Sequence, residues 1–108
     1  MEFDLTGEHS RYAYKLLAGL VTPRPIAWVT TADEDGKVNA APFSFFNVFG
    51  SRPNVLAFSP GEKEQRIPKD TARNIRRTGE FVVNLVDEAC AEAMNQTAAV
   101  LDLSLIHI

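Results

Sequence analysis

The chain carries one cysteine, Cys90, and two histidines, His9 and His107. A single thiol cannot build a disulfide framework. Two histidines at opposite ends of the sequence offer no metal-ligand spacing, so no metal site is expected. Cys90 sits among alanines and reads as a small buried hydrophobe. No apolar run is long enough to span a bilayer and no secretory leader is visible, so no membrane partner is expected and the cytoplasm is the expected location. Basic residues are not in excess: the net charge is -3, which speaks against nucleic acid as a bulk partner. Arg73, Arg76 and Arg77 make a local basic patch that reads as a solvated helix face. Internal repeats, low-complexity tracts and a Gly-rich dinucleotide fingerprint are also missing. What is left is a chain of 108 residues, 45% hydrophobic and 23% charged, sized for one small globular domain with one core.

Taken in order, Ser10 can cap a short helix over 11–18, with Tyr12, Leu16 and Leu17 on one face and Gly19 as its stop. Two prolines then bracket Arg24 and hold the backbone extended. A strand follows over 26–32, apolar on both faces at its start, which predicts a central position. The acidic turn Asp33-Glu34-Asp35-Gly36 reverses the chain into a second strand, where Pro42 demands a sheet edge or a strand that is leaving the sheet. The stretch from Ser44 to Gly50 reads as a special loop. Further strands are predicted over 55–58 and 81–86, the latter well buried because its apolar character is nearly continuous. Asp70 is placed as the cap of a helix over 71–78 that Gly79 ends. Asp87 caps another over 88–98, with Cys90, Ala93, Met94 and Thr97 facing inward. Short strands in hairpin order with interspersed helices indicate a β-barrel of the α+β kind.

Two stretches could carry chemistry. In GKVNAAPFSFFNVFG, small residues, a hydroxyl, an amide and several aromatic faces are crowded together. That mixture suits a flat aromatic ligand lying against backbone, and it equally suits a hydrophobic barrel corner. In PKDTARN, a helix start offers free N–H groups and a positive dipole end, with Lys69, Thr71 and Asn74 beside it. This is either a phosphate seat or an ordinary capped surface helix. Arg24 is a second phosphate contact or a surface arginine. Thr30 and Thr31 are donors to a ligand, or threonines chosen for strand propensity.

Read together and in sequence order, TPRPIAWVTT, the acidic turn, NAAPFSFF, KDTARNI and GEFVVNLV closely resemble the flavin reductase-like family, from about Leu16 to Thr97. The resemblance implies an FMN-binding split β-barrel, α+β but mainly β, with FMN at a homodimer interface. It places Arg24, Thr30 and Thr31 near the ribityl phosphate or ring edge. Asn39, Ala41, Pro42, Phe43 and Ser44 would run along the isoalloxazine, with Ser59 close by. Lys69, Thr71 and Asn74 would hold the phosphate. The implied activity is hydride transfer from NADH or NADPH to flavin, with an electron-acceptor protein or a monooxygenase as a further partner. The alternatives are an FMN-binding electron carrier that does not oxidise a nicotinamide, and a structural barrel whose phenylalanines are only core. No catalytic residue is expected, because the cofactor would carry the reaction. Family domains are usually longer, and the pattern fades after about Ala98. The expectation is therefore a C-terminally truncated barrel, with residues 1–102 the N-terminal part of one domain. Residues 103–108, LSLIHI, match codon for codon the translated end of a sequencing adaptor and are expected to be a non-native tail.

Overall fold

Strand β1, Ala27–Ala32, alternates a buried row of Ala27, Val29 and Thr31 with a half-buried row of Trp28, Thr30 and Ala32. A strand apolar on both sides needs neighbours on both sides, and β1 has them. A computed structural model of the chain, which describes residues 1–61 and 70–98, shows a three-stranded sheet in the order β2-β1-β5. Strand β2, Val38–Phe43, pairs antiparallel with β1, setting Thr31 opposite Asn39, Val29 opposite Ala41 and Ala27 opposite Phe43. The turn between them forms as its residues dictate. The Asp33 carboxylate accepts the N–H groups of Asp35 at 2.8 Å and Lys37 at 2.9 Å. Gly36 supplies the positive φ of 80°. Pro42 lies on the edge strand, where its missing donor costs no ladder bond.

The stretch after Phe43 corrects the expected loop. Phe46–Ser51 is strand β3 and pairs antiparallel with β4, Asn54–Phe58, as a separate two-stranded sheet. Aromatic and β-branched residues in this run favour an extended chain more strongly than its asparagine and glycine oppose it. A register shift lies between Val48 and Gly50. Gly50 is required there, since a Cβ would stand 2.9 Å from the Pro53 carbonyl oxygen. The hairpin lays Phe46 and Phe58 against the buried cluster of Ala27, Val29 and Phe43. The Phe43 and Phe58 rings lie 5.0 Å apart, and Phe58 meets Phe81 edge-on at 5.1 Å.

Helix α1 spans Ala13–Leu20 behind a 3-10 turn at Ser10–Tyr12. Ser10 does not cap it, and Gly19 lies inside it. The helix ends where Val21 N–H bonds the Leu17 carbonyl, just before the prolines that cannot continue it. None of its residues is buried, and Tyr12 is exposed. Helix α2, Asp70–Thr78, starts at Asp70 itself, whose carboxylate receives Arg73 at 2.9 Å. It closes as predicted on Gly79, with φ +74° and its N–H on the Ile75 carbonyl at 2.7 Å. The basic face of α2 is exposed, and Arg77 reaches Glu34 in the acidic turn at 2.9 Å. Asp87 caps a 3-10 turn, Glu88–Cys90, by accepting Cys90 N–H at 3.0 Å. The Cys90 side chain and backbone hold the Asp87 carboxyl below the usual carboxylate range. The cap's contribution is thus present above the ordinary carboxylate pKa and is lost as pH falls through the lowered value. Helix α3, Ala91–Thr97, follows. Met94 is buried and Cys90 and Thr97 are half-buried, but Ala93 faces out.

Strand β5 is shorter than expected, Val82–Asn84, and is not well buried. Val82 is 58% exposed and Leu85 87%. The apolar run misleads because β5 lies at a sheet edge, with no strand on its outer side among the described residues. The polar stretch GEKEQRIP at 61–68 reads from sequence as a loop without periodicity; all of it but Gly61, and the tail at 103–108, lie outside the described residues.

Val29 has no exposed surface, and Val48 is 63% exposed. Removing the side-chain methyls of Val29 (Val29→Ala) should cost about 1.5–3 kcal/mol, whereas Val48→Ala should stay within about 0.5 kcal/mol. Urea unfolding midpoints of the two variants decide the point; equal shifts would displace the core from β1.

Candidate functional site

The sheet presents two faces, and each is tied to a helix by hydrogen bonds between side chains. On the face that carries Val29, Asn74 of α2 donates from Nδ2 to Thr31 Oγ1 at 3.0 Å. Asn39 Nδ2 donates to Thr71 Oγ1 at 3.1 Å. All four residues are buried, Thr71 to 1% exposure and Asn74 to 0%. On the opposite face, Trp28 Nε1 donates to Thr97 of α3 at 3.1 Å. Asn84 Nδ2 on β5 reaches the Trp28 carbonyl at 3.0 Å and Thr30 Oγ1 at 3.2 Å. Thr30 and Thr31, adjacent in sequence, therefore serve different faces, as strand alternation requires.

The Thr31–Asn39–Thr71–Asn74 quartet has unspent hydrogen-bonding capacity. Among the described residues, Asn74 Oδ1 is buried without a partner. Thr71 and Thr31 each accept a bond and keep a hydroxyl proton to give. If the Asn74 amide turns over, the Thr31 hydroxyl donates to Oδ1 and an N–H is freed in its place. Beside the first turn of α2, such a donor set fits an anion better than a cation.

A second feature lies at the other end of β1. Helix α1, the Arg24 loop and the β3–β4 hairpin enclose a groove of about 690 Å³. Tyr14, Phe45, Phe46, Phe49 and Phe58 supply its rings. The guanidinium of Arg24 is held by the Ala18 carbonyl and, at 2.7 Å, by the Val21 carbonyl. Its Nε lies 3.4 Å from Ser44 Oγ, and its carbon sits 5.1 Å from the Phe45 ring centroid. Arg24 is thereby a positioned cation, half-buried among aromatic faces.

Of the residues singled out from sequence, Thr31, Asn39, Thr71 and Asn74 come together in the buried quartet. Arg24, Ser44 and Ser59 come together at the groove, where Ser59 N–H bonds the Phe45 carbonyl at 2.9 Å. Ala41 and Phe43 lie on the same strand face as the quartet, and Pro42 and Thr30 on the other. Lys69 lies outside the described residues. The aromatic stretch read from sequence as walls for a flat ligand supplies Phe45 and Phe46 to the groove, but sequence reasoning missed Tyr14. The signal was present: Tyr14, Leu17, Ala18 and Val21 recur at helical spacing, and all four line the groove.

The family model described as flavin reductase like domain matches residues 19–102. The protein YwrF of Bacillus subtilis is 58% identical over 86 residues, 80% of this chain and 42% of the relative. Nitrilotriacetate monooxygenase component B from Bacillus cereus superposes with a TM-score of 0.81 at 38% identity, over 94% of this chain and 50% of that one. A split-barrel domain structure from Shewanella frigidimarina, 23% identical, gives a TM-score of 0.68 over 94% of this chain and 50% of its own. The fold is that of these split barrels. The chain spans 39% to 48% of the length of the curated relatives it matches.

Replacing Asn74 by Ala strands the Thr31 hydroxyl in a buried site. The expected loss is about 1–3 kcal/mol of stability. Thr31→Val, which keeps the shape, should cost markedly less in the Asn74→Ala background than in the wild type, read as a double-mutant cycle of unfolding free energies.

Proposed function

Because the chain belongs to the flavin reductase-like domain family, we propose that the protein is an oxidoreductase that holds FMN and takes hydride from NADH or NADPH. The observation that carries the choice of FMN is the buried quartet at the α2 start, where the Thr31 and Thr71 hydroxyls accept a bond each and keep a proton that suits a phosphate oxygen. Lys69, one residue before α2, adds a cation to that end. In this reading Thr31, Lys69, Thr71 and Asn74 hold the phosphate, and Asn39 fixes Thr71. Ala41, Pro42, Phe43 and Ser44 lie along the ring system, with Arg24, Thr30 and Ser59 near its edges. When bound, FMN supplies the hydride-accepting chemistry, so the protein needs no acid or base of its own at the reacting atom. The work of the chain is to bind, orient and keep water from the ring. The whole protein acts as a homodimer in the cytoplasm. A monooxygenase is its natural consumer of reduced flavin, a view supported by the likeness to the Bacillus cereus protein, itself a monooxygenase component B.

Stopped-flow mixing of the FMN-loaded full-length protein with NADH and with NADPH should bleach the flavin band with at least one of them. Bleaching by dithionite alone would replace this reading with that of an electron carrier. The phosphate assignment has its own measurement. Lys69→Ala should weaken FMN binding about tenfold, through loss of a charge-assisted contact, and leave riboflavin binding nearly unchanged. Equal losses for both ligands would move the phosphate elsewhere.

A further inference from the structure

The hydroxyl of Thr30 has its hydrogen-bonding sense fixed by the fold, whereas the hydroxyls of the quartet do not. Asn84 of β5 stands opposite Trp28, one place along the strand from Thr30 and on the same sheet face. Its Nδ2 donates to the Trp28 carbonyl at 3.0 Å and to Thr30 Oγ1 at 3.2 Å. A backbone carbonyl only accepts, so the Asn84 amide must turn its NH2 group toward Trp28 and cannot be reversed. Both Nδ2 hydrogens are then spent, and Thr30 receives the second. A hydroxyl that accepts there gives its own proton elsewhere. In the quartet each amide meets a threonine hydroxyl, which can give or take, so the Asn74–Thr31 and Asn39–Thr71 bonds can both reverse. Thr30 is half-buried and lines a hollow of about 320 Å³ with Val38, Phe81 and Val82 among its walls. One fixed donor beside apolar walls suits an acceptor atom on the edge of a flat ring.

We propose that Asn84 is a positioning residue, which holds the Thr30 hydroxyl as a donor to an acceptor atom, a carbonyl oxygen or a ring nitrogen, at the edge of the flavin ring. Asn84 itself does not touch the ligand. It acts by removing the orientations in which Thr30 would turn a lone pair toward the ring, so the donor is set before the ligand arrives. The inference rests on the flavin reading in one respect only, that Thr30 lies near a ring edge.

The test titrates FMN and riboflavin into the full-length protein and follows the quenching of flavin fluorescence. Thr30→Val keeps the shape and loses the donor, and it should weaken both flavins about three- to tenfold. Thr30→Ser keeps the hydroxyl and should stay within about twofold of the wild type. Asn84→Leu should weaken both flavins about threefold in the wild type and by less than about 1.5-fold in the Thr30→Val background. The midpoint potential of the bound flavin should also fall in Asn84→Leu, because a donor at the ring edge favours the electron-rich reduced ring. A threefold change in that preference is about 14 mV for a two-electron couple. Asn84→Val takes the place of Asn84→Leu in the cycle if the latter does not fold. Equal weakening in both backgrounds makes Asn84 a support for the Trp28 carbonyl alone and overturns the proposal. Unchanged binding and potential in Asn84→Leu overturn it as well. A loss for FMN that riboflavin does not share overturns it too, since Thr30 then meets the phosphate. A wild-type protein that binds neither flavin overturns the flavin reading, and the role of Asn84 falls with it.

Discussion

Everything in this structure is placed relative to β1, and the bond that fixes its surroundings is the one from Asn74 to Thr31. Losing the bond from the buried Asn74 Nδ2 would strand a second polar atom of the same amide, so α2 is held at one position over the sheet rather than merely near it. Apolar packing alone would let the helix slide, since Ala27 and Val29 present little shape. The Asn39–Thr71 bond repeats the constraint on the neighbouring strand and also fixes the rotation of the helix. On the other face Trp28 does the same for α3 through Thr97. A small sheet thus gains specificity from three polar ties where its apolar area is modest.

The same ties explain why one end of the sheet suits an anion. Residues recruited to dock α2 arrive with hydrogen-bonding capacity left over. Docking and binding then draw on the same atoms. In the proposed reading a substitution there changes stability and affinity together, and the comparison of FMN with riboflavin separates the two effects. At the far end of β1 the arrangement is reversed. Arg24 is fixed by backbone carbonyls, which cannot neutralise it, and no carboxylate pairs with it among the described residues.

Much of this was legible in the sequence, for definite reasons. The acidic turn and Gly36 announced the β1–β2 hairpin, Pro42 announced an edge, and Gly79 announced the end of α2, because each is a backbone requirement met by few residue types. Thr31, Asn39, Thr71 and Asn74 were picked out as polar residues near a helix start. That they bond one another is a tertiary fact that no local pattern contains. The failures are equally specific. Gly19 did not stop α1, since an exposed helix tolerates one glycine at a cost of about 1 kcal/mol and the prolines beyond it set the true limit. The run through β5 read as buried because apolar continuity reports what a strand can bury and not what lies beside it. The loop expected after Phe43 was a strand because the asparagine and glycine that suggested a turn occupy a strand with a register shift.

The proposed chemistry makes few demands on side chains. A reaction carried by side chains leaves a trace in sequence, as a nucleophile with a base or as ligands at metal spacing. Here the described residues hold no cluster of His, Cys, Asp or Glu able to grip a metal, and the groove and quartet contain no carboxylate or imidazole. In the proposed reading a bound flavin supplies the electron chemistry and the chain contributes placement. Placement asks for donors fixed by a rigid scaffold and for flat apolar walls. The buried quartet supplies the first and the aromatic groove the second. Their separation along β1 and β2 follows from strand alternation and strand length, so the distance between the two sites is set by the fold rather than by either site.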